Sequence, residues 1–282
     1  MIDYGYEKDC HFLVFTDLDG TLLDYETYSF KRALPVIRIL KEKNIPLIFS
    51  TSKTRAETEE VKLQLKNTHP FISENGGAIF VPKAYFSLKF NFTREDSDYL
   101  IIELGTPYTK LREAFKEISS LFPGKLKGFG DFSSREVADL CGFSSDQAEL
   151  AKQREYDEPF ILEDGESEAE IQRIVGRLNL QITRGGRFYH LTGQNDKGKA
   201  VLILKNIYED ICMGKSENLK TIALGDSFND KSMLEVVDYP ILVKKPDGSY
   251  DPTIKLDNMI LASGAGPTGW SDALLKLLDK LW

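Results

Sequence analysis

Short apolar runs alternate with helical patterns in the first third of the chain, and this alternation constrains the fold more than any other feature. Strands are predicted at 11–16, 46–50 and 70–73, with helices from about 29 to 43 and from about 55 to 66 between them. Apolar runs separated by amphipathic helices are typical of right-handed βαβ units. The sequence therefore predicts an α/β fold with a Rossmann-like parallel sheet.

The same alternation returns near the C-terminus, after a stretch with a different pattern. Helices are predicted at 197–212 and from about 271 to 280, and strands at 220–224 and 239–243. The intervening segment mixes helices and strands without regular alternation, as in an α+β module. We predict a discontinuous core domain of residues 1–82 and 190–282, with an inserted α+β domain of residues 83–189.

Charge and composition limit the kinds of molecule that this protein can bind. Of the 282 residues, 36 are Lys or Arg and 44 are Asp or Glu, which gives a net charge of -8. This balance argues against nonspecific nucleic-acid binding, which needs a basic surface. The three cysteines show no metal-ligand spacing, and neither a signal peptide nor a membrane-spanning run is indicated. We expect a cytoplasmic protein that binds neither nucleic acid nor membrane.

Two aspartates, Asp17 and Asp19, follow the first predicted strand and precede Gly20. Side chains two residues apart in an extended segment point the same way, so these carboxylates project together and would repel each other. A divalent cation, or a division into one nucleophilic and one protonatable carboxyl, would explain the pair. Asp and Gly also favour ordinary turns, and the spacing matches the start of a calcium loop. A calcium loop needs flanking helices and a late Glu, whereas Thr21 and two leucines follow here.

Polar segments follow four predicted strands, where ligands bind in open α/β sheets. The first holds Asp17 and Asp19, and the second holds Thr51, Ser52 and Lys53. The third holds Glu74, Asn75, Gly76 and Gly77, and the fourth holds Asp226, Asn229 and Asp230. Taken alone, Thr51 could equally cap the helix that follows it.

These segments, with Lys197 at the start of a helix, resemble the four motifs of the haloacid dehalogenase superfamily of phosphotransferases. The motifs are Asp17-Leu-Asp19-Gly-Thr, a Thr at position 51, Lys197, and Gly-Asp226-Ser-Phe-Asn229-Asp230. A large insertion between the second and third motifs is typical of members with a type C2 cap domain.

The resemblance implies a role for each residue. Asp17 would attack phosphorus and Asp19 would act as general acid and then general base. Thr51 and Lys197 would hold the phosphoryl group. Mg2+ would be held by Asp17, the Asp19 carbonyl and Asp226, with Asp230 or Asn229 supporting the site.

Other fragments resemble the mannosyl-3-phosphoglycerate phosphatase branch of this superfamily. They lie around residues 51–57, 74–78, 154–160, 187–193 and 266–270. The resemblance implies a Mg2+-dependent phosphatase that acts on mannosyl-3-phosphoglycerate or glucosyl-3-phosphoglycerate and releases a compatible solute. Because this substrate carries a phosphate, a carboxylate and hydroxyls, the candidate substrate-binding residues combine cations with polar groups. They are Ser52, Lys53, Glu74, Asn75, Gly76, Gly77, Arg154, Glu155, Arg187, Thr192 and Asn229.

Three other functions remain open on the sequence alone. A phosphohexomutase would return the phosphate to the sugar, and a general sugar-phosphate phosphatase would accept simpler esters. A non-catalytic phosphosugar-binding module would bind without turnover.

Overall fold

A computed structural model describes residues 11–163, 167–185, 188–212 and 219–281, and Arg187 of the predicted site lies outside these ranges. The described strands are β1 (Phe12–Thr16), β2 (Leu47–Ser50), β3 (Phe71–Ser73), β4 (Ala78–Pro82), β5 (Arg94–Glu95), β6 (Tyr99–Glu103), β7 (Leu126–Gly128), β8 (Asp157–Leu162), β9 (Gln181–Gly185), β10 (Phe188–Thr192), β11 (Lys220–Gly225), β12 (Tyr239–Lys244) and β13 (Ile260–Ala265). The helices are α1 (Leu34–Glu42), α2 (Arg55–Leu65), α3 (Tyr108–Leu121), α4 (Ser134–Cys141), α5 (Ser145–Ala151), α6 (Glu168–Arg177), α7 (Lys197–Cys212), α8 (Lys231–Glu235) and α9 (Gly266–Leu281).

The larger sheet of the described chain has nine strands in the order β13-β12-β11-β1-β2-β3-β4-β6-β5. Pairing is parallel from β13 through to β3 and antiparallel from β3 to β5. Apolar residues cover both faces of this sheet, because helices pack on each side of it. The predicted α/β class with a parallel sheet is confirmed.

The smaller sheet is antiparallel, in the order β7-β8-β10-β9. Helices α3 and α6 pack on it through a separate apolar cluster that includes Phe115, Phe160 and Ile171. The two-domain division predicted from the sequence remains a proposal. The larger sheet takes its strands from residues up to Glu103 and from Lys220 onwards, and the smaller one runs from Leu126 to Thr192.

Two element boundaries differ from the sequence prediction for identifiable reasons. Helix α1 begins at Leu34 instead of near residue 29, because Pro35 fits the first helical turn and Tyr28 has a left-handed backbone with φ of 55°. Helix α9 begins at Gly266, several residues before the predicted start, and carries Trp270 into the core. The indole Nε1 donates to Thr16 Oγ1 at 3.0 Å, which fixes the end of β1.

None of the helices in the described ranges combines the length and apolarity needed to cross a membrane.

Candidate active site

The carboxyl ends of four neighbouring parallel strands form the site. Strands β11, β1, β2 and β3 lie side by side and run in one direction, so the residues that follow them share one edge of the sheet. Asp17 follows β1, Thr51 follows β2, Glu74 follows β3 and Asp226 follows β11. The fold thus brings together the polar segments that the sequence analysis singled out.

Three buried carboxylates meet at this edge. Oxygens of Asp17, Asp226 and Asp230 lie within 4.8 Å of one another. Lys197, at the start of α7, places Nζ 2.7 Å from Asp17 Oδ1 and 2.6 Å from Asp230 Oδ1. Burial raises the pKa of Asp17 well above its usual value, and the charge of Lys197 only partly opposes this. Among the described hydrogen bonds, Lys197 is the one cation that contacts this cluster.

Asp230 and Asp226 occupy different positions in the cluster. Asp230 is fully buried, and its Oδ2 accepts the backbone N–H groups of Asp226 at 3.0 Å and Ser227 at 3.1 Å. Its Oδ1 accepts from Lys197 Nζ. Both oxygens of Asp230 are therefore used in holding the loop after β11. Asp226 lines the cleft and accepts from Thr21 Oγ1 and Ser227 Oγ. Burial, aided by the Asp230 charge, raises the pKa of Asp226 to about 7.

A divalent cation fits the Asp17 and Asp226 carboxylates. Both face the cleft, both are hard oxygen donors, and the cluster holds more negative charge than Lys197 neutralises. Gly20 lets the loop after β1 approach this point, since its φ is +78° and an added Cβ would lie 3.0 Å from Asp226 Oδ2. A cation here would favour the ionised form of both carboxyls.

Asp19 also lines the cleft, two residues after Asp17. Its Oδ2 accepts from Lys53 Nζ at 2.9 Å, and its Oδ1 is buried without a hydrogen-bond partner among the described residues. Burial disfavours the charge on Lys53, but the carboxylates of Asp19 and Glu57 outweigh burial and raise the pKa of Lys53. Asp19 therefore offers an unused oxygen to a ligand beside a fixed positive charge.

Thr51 is not the cap of the helix that follows it. That position belongs to Thr54, whose hydroxyl accepts from Glu57 N in a capping box. Thr51 Oγ1 accepts from the Lys53 N–H at 3.1 Å, which leaves its own hydroxyl proton free to donate. Helix capping therefore does not account for Thr51.

A cleft lies between the two sheets. Several predicted residues line it, namely Asp17, Asp19, Ser52, Lys53, Arg154, Asp226 and Asn229. Residues that the sequence reasoning did not select also line it, chiefly His190 and the rings of Tyr25, Tyr28, Phe129, Phe143 and Phe188. The fragment around residue 190 was noticed for its resemblance, but aromatic residues scattered along the chain gave no signal of their own.

Glu74 joins the two sheets of the molecule. Its carboxylate accepts the backbone N–H groups of Glu155 at 2.9 Å and Tyr156 at 2.8 Å, just before β8. Burial raises the pKa of Glu74 to about 8, and Arg154 opposes this rise. Arg154 makes a second connection, because its Nη1 donates to Ser52 O at 2.9 Å. Glu155 is turned away and pairs with Arg94 at 2.8 Å.

The remaining predicted residues stabilise the loops around the site. Gly76 has a φ of +83°, and a Cβ there would lie 2.1 Å from Asp196 O, so only glycine lets this loop contact the start of α7. Gly77 lies close to Tyr156, whose Cβ would be 2.5 Å from a Cβ added to this glycine. Asn75 bonds to both Asn229 and Asp157, and Thr192 is buried at the end of β10. Substrate contact by these residues stays a prediction.

Comparison with known proteins identifies the family. Residues 14–119 match the family of haloacid dehalogenase-like hydrolases. A glucosyl-3-phosphoglycerate/mannosyl-3-phosphoglycerate phosphatase from Methanococcoides burtonii is 48% identical over 269 residues, which cover 95% of this chain and 97% of that protein. The chain belongs to the haloacid dehalogenase-like hydrolases.

Two further comparisons extend to a second relative and to a solved structure. A protein of the same name from Persephonella marina is 42% identical over 270 residues, covering 95% of this chain and 98% of its own length. A Bacteroides thetaiotaomicron protein, described among the phosphatases of the haloalkanoate (HAD) enzyme superfamily, has the same fold, with a TM-score of 0.65 and 15% identity over 99% of this chain and 97% of that one. The family resemblance drawn from the motifs is confirmed.

Replacing Glu74 with Ala should destabilise this haloacid dehalogenase-like hydrolase. The change leaves the buried N–H groups of Glu155 and Tyr156 without their acceptor, and we expect the free energy of unfolding to fall by about 2–4 kcal/mol. Glu74→Gln keeps one acceptor oxygen and should lose about half as much. Chemical denaturation measures both changes.

Glu155→Ala is the matched control, because it removes a partly exposed ion pair with Arg94 that contributes about 1 kcal/mol or less. A loss for Glu74→Ala no greater than that for Glu155→Ala would show that Glu74 does not hold the two sheets together.

Proposed function

We propose that the chain is a Mg2+-dependent phosphatase that hydrolyses glucosyl-3-phosphoglycerate and mannosyl-3-phosphoglycerate to the glycosylglycerate and phosphate. The observation that carries the proposal is the position of Asp17, which faces the cleft within hydrogen-bonding distance of Lys197 and beside Asp226. The names and the long matches of the two related phosphatases support the choice of substrate.

The first chemical step transfers the phosphoryl group to Asp17. A carboxylate oxygen of Asp17 forms a bond to phosphorus, and the bond between phosphorus and the glycerate oxygen breaks. Asp19 gives its proton to the departing alkoxide, through the carboxyl that reaches the cleft beside Lys53. Lys197 holds Asp17 in place and opposes the negative charge that gathers on the phosphoryl oxygens.

The second step returns Asp17 to its starting state. Asp19, now a carboxylate, takes a proton from water, whose oxygen bonds to phosphorus while the bond to Asp17 breaks. Thr51 would donate its free hydroxyl proton to a phosphoryl oxygen. Mg2+, held by Asp17, Asp226 and the main-chain carbonyl of Asp19, would supply charge neutralisation for the substrate phosphate.

A substrate panel tests the proposal. Purified protein with Mg2+ should release phosphate from both glycosyl-3-phosphoglycerates with a kcat/KM at least about tenfold above that for glucose 6-phosphate or mannose 6-phosphate. A hexose 1-phosphate should not be converted into the 6-phosphate. Preference for the simple hexose phosphates, or formation of the 6-phosphate, would replace the proposal with one of the alternative functions.

Removal of the metal should abolish turnover. We expect dialysis against a chelator to reduce phosphate release to background and added Mg2+ to restore it, because the clustered carboxylates repel a phosphate when no cation is present. Asp226→Asn should raise the Mg2+ concentration needed for half-maximal activity. Full activity in excess chelator would show that the carboxylate cluster does not serve a metal.

A further inference from the structure

Aromatic rings from the part of the chain that holds the smaller sheet line the same cleft as Asp17. Phe129 follows β7, Phe143 lies between α4 and α5, and Phe188 begins β10, and all three line the cleft. Phe129 and Phe188 meet edge to face with ring centres 5.0 Å apart. The three rings carry no group that takes part in the chemistry proposed at Asp17, and they give the cleft an apolar surface.

One histidine stands in this aromatic wall with a fixed orientation. His190 is buried on β10, lines the cleft, and brings Nδ1 within 2.8 Å of Asp157 Oδ2. Asp157 is fully buried, and the same oxygen accepts from Asn75 Nδ2 at 3.0 Å. Because a carboxylate only accepts, Nδ1 carries a proton in this contact, which leaves Nε2 to bond a ligand group that lies in the cleft. Nε2 has no hydrogen-bond partner among the described residues.

A hydrogen-bonded chain links this histidine to the catalytic edge. Asn229, in the loop after β11, donates from Nδ2 to Asn75 Oδ1 at 3.0 Å. Asn75 in turn donates to Asp157, which holds His190. Asn75 has a left-handed backbone with φ of 56°, and Asn195 Nδ2 donates to its carbonyl at 3.2 Å, so its side chain is held between the two sheets. The position of His190 is therefore set from the phosphoryl end of the cleft.

We propose that His190, with the rings of Phe129, Phe143 and Phe188, forms the subsite for the hexosyl group of the substrate. A hexose presents an apolar C–H face, which packs on aromatic rings, and hydroxyls, one of which forms a hydrogen bond with Nε2. The cations Lys53 and Arg154 line the same cleft as Asp17 and the aromatic rings. They can bind the carboxylate of the glycerate, which joins the phosphate to the hexose in this substrate. This inference rests on the proposed function.

Two substitutions test the subsite by comparing esters with and without the hexose. His190→Asn keeps a donor for Asp157 and removes Nε2, and Phe188→Leu keeps apolar volume and removes the ring. Each should lower kcat/KM for glucosyl-3-phosphoglycerate about tenfold and change that for 3-phosphoglycerate less than about twofold. Phe92→Leu, at an exposed phenylalanine outside the cleft lining, is the control and should change neither.

Binding of the phosphate-free product gives a second readout that does not depend on turnover. By calorimetry, glucosylglycerate should bind about tenfold more weakly to His190→Asn than to the unaltered protein. Should His190→Asn fail to fold, Phe188→Leu decides the test, because leucine leaves Asp157 and its partners untouched.

The outcomes separate this inference from the function on which it rests. If the unaltered protein releases no phosphate from either glycosyl ester, the proposed function is wrong. If it does, and the variants slow hydrolysis of 3-phosphoglycerate as much as that of the glycosyl esters, the subsite is wrong and the function stands.

Discussion

Asp17→Asn is expected to lower kcat for phosphate release from glucosyl-3-phosphoglycerate at least about a thousandfold. The substituted amide keeps the shape of the side chain but cannot act as the nucleophile that the proposed mechanism needs. The protein should stay folded. Asn removes one of three crowded carboxylates, and relief of their repulsion offsets the lost contact with Lys197.

The measurement compares kcat and the melting temperature of the variant with those of Asp247→Asn. Asp247 is an exposed aspartate in a surface turn. Asp247→Asn therefore makes the same replacement of a carboxylate by an amide at a position away from the site. Phosphate release by Asp17→Asn within tenfold of the unaltered protein would show that another group attacks phosphorus.

Lys197→Met is expected to lower both activity and stability. Its side chain has no solvent exposure and its Nζ contacts Asp17 and Asp230, and methionine fills a similar volume without charge. Loss of a charged donor at the phosphoryl position should cost about a hundredfold to a thousandfold in kcat. Removing one partner from a buried ion pair should lower the free energy of unfolding by about 3–5 kcal/mol.

The stability loss of Lys197→Met should depend on pH. Burial already raises the pKa of Asp17, and Lys197 opposes this rise, so its removal raises the pKa further. A carboxyl with a raised pKa in the folded state holds its proton more tightly there than in the unfolded chain. Its stabilising contribution is complete below the unfolded pKa and is lost as pH rises through the folded pKa. The deficit relative to the unaltered protein should therefore be smallest in acid and grow towards neutral pH.

Denaturation in the presence of chelator, at several pH values, measures this dependence. Lys199→Met is the matched control, because Lys199 lies on the same helix with a mostly exposed side chain. A deficit that is the same at every pH, or equal losses for the two lysines, would contradict the electrostatic account of Lys197.

The core of the fold could be predicted from the sequence because its signals are local. Buried parallel strands are continuous apolar runs, and each is followed by a polar segment that the sheet brings to one edge. Strands β5 and β6 gave no such signal, since they extend the sheet by antiparallel pairing without an intervening helix. Their inclusion in the larger sheet depends on tertiary contacts with β4.

The two ends of the cleft differ in how much the sequence reveals. Asp17, Asp19, Lys197 and Asp226 are recognisable by residue type and order. His190 and the aromatic wall come from separate elements that converge only after the smaller sheet packs over the larger one. Glu74 shows the opposite difficulty, because its polar side chain suggests a ligand contact, whereas its oxygens accept backbone N–H groups from across the cleft.

The most direct test of the central claim is chemical trapping of the phosphorylated enzyme during hydrolysis of glucosyl-3-phosphoglycerate. An aspartyl phosphate is an acyl phosphate, and borohydride reduces it to homoserine. We predict that mass spectrometry of the quenched protein finds homoserine at position 17, in the presence of substrate and Mg2+ and not without them. Phosphate release accompanied by homoserine at Asp19 or Asp226 instead of Asp17 would contradict the mechanism, and the absence of any phosphate release would contradict the function.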